Sequence, residues 1–216
     1  DNCEVDRLVL TNEGSTAKSF TVFSYVEFCL WNAVDDSTNF QRNFSTGEVE
    51  VEGSALYHKT EYRERRDHYA FFTVNAPIDG FDTSRDAFLG AWRSNSNPEV
   101  VENGSCTNSV AHGWAPVGVH QINIALQPGE RRSLIFMLGY IENPEAEKWA
   151  APGVINKTRA QAMAARYATD AQVDAAFSAL HTHWNRLLST YSVKSSDEKL
   201  DRMVNIWNQY QCMVTF

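Results

Sequence analysis

Four consecutive residues near the start of the sequence combine side chains that can hold a sugar. Asn39, Gln41 and Arg42 supply amides and a guanidinium, which between them donate and accept hydrogen bonds of the kind that sugar hydroxyls form, and Phe40 supplies an aromatic face. Binding groups concentrate on loops that a rigid sheet supports, so this pattern predicts a carbohydrate-binding loop. The same residue types also fit a solvated connection between two strands, and residue types alone leave both interpretations open.

Other patterns that could support catalysis or bind a metal are weak. His181 and His183 stand two positions apart on a predicted helix and face different directions, whereas a metal pair on a helix needs a spacing of four. Asp35 and Asp36 are adjacent, whereas catalytic carboxylates must face each other across the scissile bond. The sequence has no glycine-rich phosphate loop and no nucleophile elbow. We therefore predict no catalytic residue and no metal ligand in this chain.

The elements that must position the loop have the patterns of β-strands. Residues 19–31 place apolar side chains on both faces, which predicts a strand covered on both sides. Residues 48–52 alternate glutamate and valine, which predicts a strand with one face in water. Further strands are predicted at residues 4–10, 55–59, 69–74, 87–92, 119–126 and 133–140.

A turn signal separates the last two of these strands. In the segment 127–130, Pro128 presets the first central residue of a type II turn, and Gly129 accepts the positive φ of the second. We therefore predict that these two strands pair as a hairpin. Residues 95–113, rich in Asn, Ser and Gly, are predicted to form a long loop. Short strands with turn signals at this spacing predict an antiparallel β-sandwich.

Helical patterns follow the strands. An alanine-rich helix opens at Asn156, a longer helix opens at Asp170, and Ser195 with Glu198 fits a capping box for a third helix. We predict three parts: a sandwich domain whose N-terminal portion is missing (1–142), a helical linker (143–194), and the first helix of a second, helical domain (195–216). The third helix ends on an apolar face, so we expect the chain to be a piece of a longer protein.

Composition narrows the class of protein. The 216 residues include 43% hydrophobic and 21% charged residues, which is typical of a globular protein. A net charge of -8 without a Lys and Arg block argues against nucleic-acid binding. The cysteines at 3, 29, 106 and 212 have no zinc-site spacing and fit the thiols of a cytoplasmic protein. No apolar run reaches about 18 residues, so no membrane span is predicted.

Five segments closely resemble the inverting disaccharide phosphorylases, and the cellobiose phosphorylases among them. The segments are DNCEVDRLVLTNEGSTAKSFTVFSYVEFCLWNA, NFQR, YHKTEYRERRDHYAFF, GVHQINIALQPGERRSLIFMLGY and IWNQYQCMVTF. The resemblance runs along the whole chain. It implies an N-terminal β-sandwich, a helical linker and an (α/α)6 barrel that holds the active site, so residues 195–216 are expected to be the first helix of that barrel.

The resemblance also implies a reaction. It is the reversible, inverting phosphorolysis of a β-1,4-linked glucose disaccharide to α-glucose 1-phosphate and glucose. An aspartic acid protonates the departing oxygen while inorganic phosphate, the co-substrate, attacks the anomeric carbon from the opposite face, without a cofactor. In the family the acid and the phosphate-binding residues come from the barrel, and no residue of this chain matches them. The chain alone is therefore expected to be inactive.

The loop gains a specific role from the same resemblance. Phe40, Gln41 and Arg42 match a family segment that reaches the active site of the partner subunit in a homodimer, with Asn39 and Asn32 at its approach. Arg42 and Gln41 would bind sugar hydroxyls, and Phe40 would form a wall of the site.

A second class of function remains open. The chain could be a non-catalytic sandwich module that binds carbohydrate or mediates dimerisation. The two alternatives differ in what the full-length protein contains, because only the enzyme needs a barrel with an aspartate-bearing loop.

Overall fold

The structure is a computed structural model that describes residues 1–28, 47–60, 67–111 and 115–215. These residues form ten strands: β1 (Cys3–Thr11), β2 (Lys18–Glu27), β3 (Gly47–Glu52), β4 (Ala55–Thr60), β5 (His68–Val74), β6 (Gly80–Ser84), β7 (Pro116–Leu126), β8 (Arg131–Glu142), β9 (Trp149–Ala151) and β10 (Val154–Ile155). They also form six α-helices: α1 (Arg85–Leu89), α2 (Glu99–Asn103), α3 (Thr158–Ala165), α4 (Asp170–Leu188), α5 (Glu198–Arg202) and α6 (Asn208–Thr215). The prediction of a mainly β protein with C-terminal helices is confirmed.

Two antiparallel sheets pack face to face. One has five strands in the order β1-β8-β5-β4-β3, and the other has three in the order β2-β7-β6. Alternate side chains of β5, β7 and β8 fill the space between the sheets: Phe72, Val74, Ile122, Ile124, Leu126, Leu134 and Phe136 are all buried there. This arrangement confirms the predicted antiparallel sandwich, because burial of these apolar faces requires two sheets in contact.

Helices cover the outer faces of both sheets. Helix α3 packs Ala160 and Met163 against the five-stranded sheet, where Tyr69 and Phe71 of β5 are buried. Helices α1 and α2 cover the three-stranded sheet in the same way, with the buried side chains Phe88, Leu89, Val100, Cys106, Val117 and Val119. The strand predicted at residues 19–31 has cover on both sides in its described part, but its side chains are only half-buried: Val22 and Val26 pack against the inner cluster, and Phe23 and Tyr25 pack against the outer one. Residues 29–31 lie outside the described ranges.

The predicted hairpin at residues 119–140 is wrong, although its turn is correct. Glu130 donates its backbone N–H to the carbonyl of Gln127 at 2.9 Å, and Gly129 has a φ of 75°. The two strands nevertheless enter different sheets, since β7 pairs with β2 and β6 whereas β8 pairs with β1 and β5. Each strand has apolar residues on both faces and therefore lies inside its own sheet, with a neighbouring strand on either side.

The chain crosses between the sheets twice at one end of the sandwich. Residues 12–17 join β1 to β2, and residues 127–130 join β7 to β8. We call this end the crossing end. Asn12 links the two connections, because its backbone N–H donates to Glu130 O at 3.0 Å and its carbonyl accepts from Gly129 N at 2.8 Å. Its buried side-chain amide donates to the carbonyls of Leu126 and Thr16, both at 2.9 Å.

Three local predictions need correction. Residues 87–92 were expected in a strand, but α1 ends at Leu89 and begins after Ser84, whose hydroxyl accepts the N–H of Ala87 at 3.4 Å. The predicted long loop at 95–113 contains the short helix α2. The expected capping box is replaced by Asp197, whose carboxylate accepts the N–H of Lys199 at 2.9 Å. A carboxylate or hydroxyl on the residue before a helix accepts hydrogen bonds from the free N–H groups of the first turn. The residue directly before the helix therefore caps it.

The chain divides into two compact units, residues 1–170 and residues 171–216, and the second is described here by itself. Within it, Asn205 binds both the N–H and the carbonyl of Val193, at 2.8 and 2.7 Å. Several apolar residues of its helices are at least 40% exposed: Phe177, Leu180, Leu187, Leu188, Tyr191, Leu200, Met203, Trp207 and Tyr210. The domain boundaries at 142 and 194 and the start of a barrel remain predictions. Of the helices in the described ranges, none is long and apolar enough to span a membrane.

We expect Asn12 to control the stability of the sandwich. Asn12→Ala removes the amide that satisfies two carbonyls, and a buried carbonyl left without a donor costs about 1 to 3 kcal/mol, so a loss of about 2 to 3 kcal/mol is expected. Asn12→Asp should be at least as damaging, because it places a carboxylate against those carbonyls. Urea unfolding followed by tryptophan fluorescence would measure this, with Asn95→Ala as an exposed control. Equal stabilities for all variants would contradict the role of Asn12.

Candidate functional site

The predicted sugar-binding residues lie outside the described ranges: Asn32, Asn39, Phe40, Gln41 and Arg42. Asp35 and Asp36 do so as well. The structure nevertheless defines where this connection starts and finishes. Strand β2 ends at Glu27, and β3 begins at Gly47.

Both of these strand ends lie at the same end of the sandwich. In the five-stranded sheet Gly47 pairs with Thr60, and His68 pairs with Glu142. In the other sheet Glu27 pairs with Val117. We call this end, formed by Glu27, Gly47, Thr60, His68 and Glu142, the loop end. The ring centres of Phe28, after β2, and His58, in β4, lie 5.6 Å apart, so these ends of the two sheets lie next to each other.

Three connections start from the loop end. Residues 28–46 join β2 to β3, residues 61–67 join β4 to β5, and residues 85–115, which include α1 and α2, join β6 to β7. Each of these connections is longer than the crossings at residues 12–17 and 127–130. Long connections at one end of a rigid sandwich are typical of binding sites on β-scaffolds.

An ionic cluster holds the root of the predicted sugar loop. The Tyr25 hydroxyl donates to Glu27 Oε1 at 2.6 Å, and Arg85 Nε donates to the same oxygen at 3.2 Å. Burial, followed by the bond to Glu27, raises the pKa of Tyr25, so its hydroxyl remains a neutral donor. The backbone N–H of Arg85 also donates to Ala115 O at 3.3 Å. The first residue of α1 therefore ties the start of one connection to the finish of another.

Buried polar side chains concentrate near the loop end. His58, Lys59 and His68 are at most 1% exposed and lie within two positions of the ends of β4 and β5. Lys59 Nζ lies 5.1 Å from the centre of the Trp149 ring, a cation–π geometry. Sequence reasoning missed these residues. The sequence signal that could have found them is that they are polar residues at strand positions where the alternation predicts burial.

A buried carboxylate fixes the segment that leads to residues 112–114. Asp82 is fully buried and accepts four hydrogen bonds, from the N–H and hydroxyl of Thr107 at 3.1 and 2.5 Å and from those of Ser109 at 2.9 and 2.6 Å. Burial, together with Asp82 nearby, raises the pKa of the Cys106 thiol. Cys106 is thus a protonated core residue and not a nucleophile, because the thiolate is the reactive form.

The described histidines do not form a catalytic or metal site. His120 lies between the sheets, stacks on Phe72 at 4.7 Å and bonds Ser24 Oγ through Nδ1 at 3.0 Å. His181 and His183 are exposed on α4. Across the described ranges, no three His, Cys, Asp or Glu side chains are placed to hold a metal ion.

A mostly apolar cavity of about 210 Å³ lies between β5, β8 and α3. A more open one of about 530 Å³ lies between the β3–β4 turn and residues 74–78. Asn75 lines both cavities, and its amide already accepts from Ile135 N at 2.8 Å and donates to Ala168 O at 3.1 Å. With this polar group satisfied, the first cavity offers little to bind a sugar.

Comparison with known proteins gives two family matches. The family described as "Glycosyl hydrolase 94, supersandwich domain" matches residues 1–170, and "Glycosyl hydrolase 94 superfamily, catalytic domain" matches residues 183–216.

Individual relatives align over nearly the whole chain. The N,N'-diacetylchitobiose phosphorylase of Vibrio furnissii is 29% identical over 213 residues, which are 98% of this chain and 25% of that protein. The 3-O-beta-D-glucopyranosyl-beta-D-glucuronide phosphorylase of Paenibacillus borealis is 24% identical over 98% of this chain and 26% of that protein. The cyclic beta-(1,2)-glucan synthase NdvB of Rhizobium meliloti (strain 1021) is 24% identical over 96% of this chain and 7% of that protein. The chain spans about a quarter of the length of the phosphorylases it matches.

We expect His120 to make the sandwich sensitive to acid. Burial lowers its pKa from 6.5 to about 4, so between these values the unfolded chain binds a proton that the folded chain does not. Stability should be unaffected by His120 above pH 6.5 and should fall as the pH drops from 6.5 to 4, by about 3 kcal/mol in all. His120→Phe keeps a ring against Phe72 and removes the titration. If the stability of the His120→Phe variant fell between pH 6.5 and pH 4 as much as that of the wild type, His120 would not be the source of the acid sensitivity.

Proposed function

The chain belongs to the glycosyl hydrolase 94 family, and we propose that the full-length protein is an inverting disaccharide phosphorylase. The observation that carries the proposal is the family match over residues 1–170. It is supported by relatives that are named as phosphorylases and align with 98% of this chain. We propose a β-linked disaccharide as substrate and cellobiose as the preferred one, from the segments that resemble cellobiose phosphorylases. The names of the relatives give other disaccharides as their substrates, so the experiment below compares two sugars.

In the proposed reaction an acid protonates the glycosidic oxygen as it departs. A phosphate oxygen forms the new bond to the anomeric carbon from the opposite face, so the configuration inverts and a sugar 1-phosphate is released. Phosphate is already a nucleophile, and therefore the second carboxylate that a hydrolase uses to activate water is not needed. The acid and the phosphate site belong, in this proposal, to the rest of the full-length protein, and no cofactor takes part.

This chain would contribute the sandwich and one wall of the substrate pocket. We propose that Arg42 and Gln41 bind sugar hydroxyls and that Phe40 packs against the ring, with Asn39 and Asn32 at the approach. The pocket would belong to the partner subunit of a homodimer. The loop end supports this role, because the cluster of Tyr25, Glu27 and Arg85 holds the root of the connection that carries these residues.

The alternative is a sandwich that binds carbohydrate or mediates dimerisation without catalysis. It predicts sugar binding or association with no turnover. The assay below separates the two, because only the enzyme consumes phosphate.

We expect purified full-length protein to release α-glucose 1-phosphate from cellobiose only when phosphate is present. Arg42→Ala should lower kcat/KM by roughly ten- to hundred-fold, because a hydrogen bond from a charged group to a sugar hydroxyl contributes about 1.5 to 3 kcal/mol. Thermal unfolding should be unchanged. Lys18→Ala, an exposed cation at the crossing end, is the matched control.

The outcomes separate the parts of the proposal. Phosphate-dependent cleavage of N,N'-diacetylchitobiose but not cellobiose would change the substrate and keep the reaction class. Release of free sugars without phosphate, or no turnover at all, would contradict the phosphorylase. Arg42→Ala mixed with a variant lacking the catalytic acid should recover part of the activity if the loop acts across the dimer. No recovery in verified mixed dimers would contradict the action in trans.

A further inference from the structure

The guanidinium of Arg85 lies at the loop end with only part of its hydrogen-bonding capacity in use. Ser84, the residue before it, pairs with Pro116 at the start of β7. Arg85 Nε donates to Glu27 Oε1 at 3.2 Å, and the side chain also bonds the hydroxyl of Tyr25. A guanidinium carries further N–H donors, and no other acceptor for them lies among the described residues.

These donors are both accessible and fixed in position. The side chains of Arg85 and Glu27 are 30% and 32% exposed. On the inner side of the cluster, the ring of Tyr25 stacks on the buried ring of Phe88 with 5.1 Å between their centres. The Tyr25 hydroxyl donates to the same Glu27 oxygen that Arg85 binds, at 2.6 Å. A guanidinium that is held from one side loses little freedom when its other side binds a ligand.

The charges of this cluster indicate an uncharged ligand. The carboxylate of Glu27 balances the guanidinium, and Tyr25 stays neutral because burial, followed by the bond to Glu27, raises its pKa. A phosphate or carboxylate that approached Arg85 would also approach Glu27, whose charge repels it. Sugar hydroxyls carry no charge, accept hydrogen bonds from a guanidinium and donate them to oxygen. A polyol is therefore the class of ligand that fits.

We propose that Arg85 is a substrate-binding residue that donates hydrogen bonds to hydroxyls of the disaccharide. The inference rests on the proposed phosphorylase function and adds to it a residue on the rigid part of the sandwich. Arg85 belongs to α1, directly after β6, and its bonds to Glu27 and Tyr25 connect it to β2. Groups on such elements are placed more precisely than groups on loops.

Arg93 provides a matched comparison within the same chain. Its side chain is also 30% exposed, and it also pairs with a glutamate, Glu102. It lies in the connection between α1 and α2, where it donates to Asn97 O at 3.4 Å as well. The two arginines thus share their charge, their exposure and their kind of partner, and only Arg85 belongs to the cluster at the loop end.

Steady-state phosphorolysis by the full-length protein tests the proposal, with cellobiose and N,N'-diacetylchitobiose as substrates. Arg85→Lys keeps the positive charge beside Glu27 but loses the planar set of donors. We expect kcat/KM to fall about ten-fold, mainly through KM, because a bond to a hydroxyl away from the reacting atoms holds ground state and transition state alike. Arg93→Lys makes the same change at the comparison position and should leave kcat/KM as in the wild type.

Monodeoxy analogues of the disaccharide that the wild type cleaves separate binding from an indirect effect on the fold. Loss of the hydroxyl that Arg85 binds should cost the wild type about ten-fold in kcat/KM. It should cost Arg85→Lys much less, because that variant has already lost the bond. A merely structural role for Arg85 would leave the two enzymes equally sensitive to every analogue.

Each outcome supports or overturns the role of Arg85. Wild-type kcat/KM in Arg85→Lys would overturn it and leave the phosphorylase standing, and so would equal sensitivity of both enzymes to every deoxy sugar. A wild type that cleaves neither disaccharide in the presence of phosphate would overturn the proposed function and this inference together. A smaller loss in the variant for one analogue and not for the others would support the inference and identify the hydroxyl that Arg85 binds.

Discussion

The two short crossings that meet at Asn12 determine how this sandwich is organised. Asn12 bonds the backbone of the 127–130 turn on one side and the carbonyl of Leu126 on the other, so two connections that are far apart in sequence become neighbours. β1 then pairs with β8 in one sheet, and β2 pairs with β7 in the other, over nine and ten residue pairs. The connections at residues 28–46, 61–67 and 85–115 begin and finish at the opposite end. The position of the candidate site follows from this geometry.

Layering explains which residues can take part in function. The sheets are covered on both sides, by each other and by helices, so their central residues are apolar and inaccessible. Polar groups within the layers are either bonded in place, as Asp82 is, or lie near the ends of strands, as His58, Lys59 and His68 do. Burial lowers the pKa of His120 and raises that of Cys106, which keeps both in their neutral forms. The polar groups that could meet a ligand are therefore those near the ends of the strands.

Much of the fold was predictable, and the errors share a physical cause. Alternation located most strands, and Pro128 with Gly129 located a turn, but a tight turn does not reveal whether the strands beside it share a sheet. That choice depends on burial of both faces, which is a property of the assembled core. The short apolar run after Ala87 suits either a strand or a helix, and the cap at Ser84 decides for the helix. The sugar-binding role of residues 39–42 came from side-chain chemistry and family resemblance and remains a prediction. The buried polar residues at the loop end lie in or next to predicted strands, but their burial depends on tertiary packing.

The central claim is that substrate meets this domain at the loop end and not at the crossing end. Amide hydrogen exchange of the full-length protein, with and without saturating cellobiose and phosphate, tests it directly. We expect slower exchange in peptides that cover residues 25–28 and 58–60 when ligand is present, and unchanged exchange at residues 12–17 and 127–130. Protection at the crossing end, or ligand binding that leaves both ends unchanged, would contradict it.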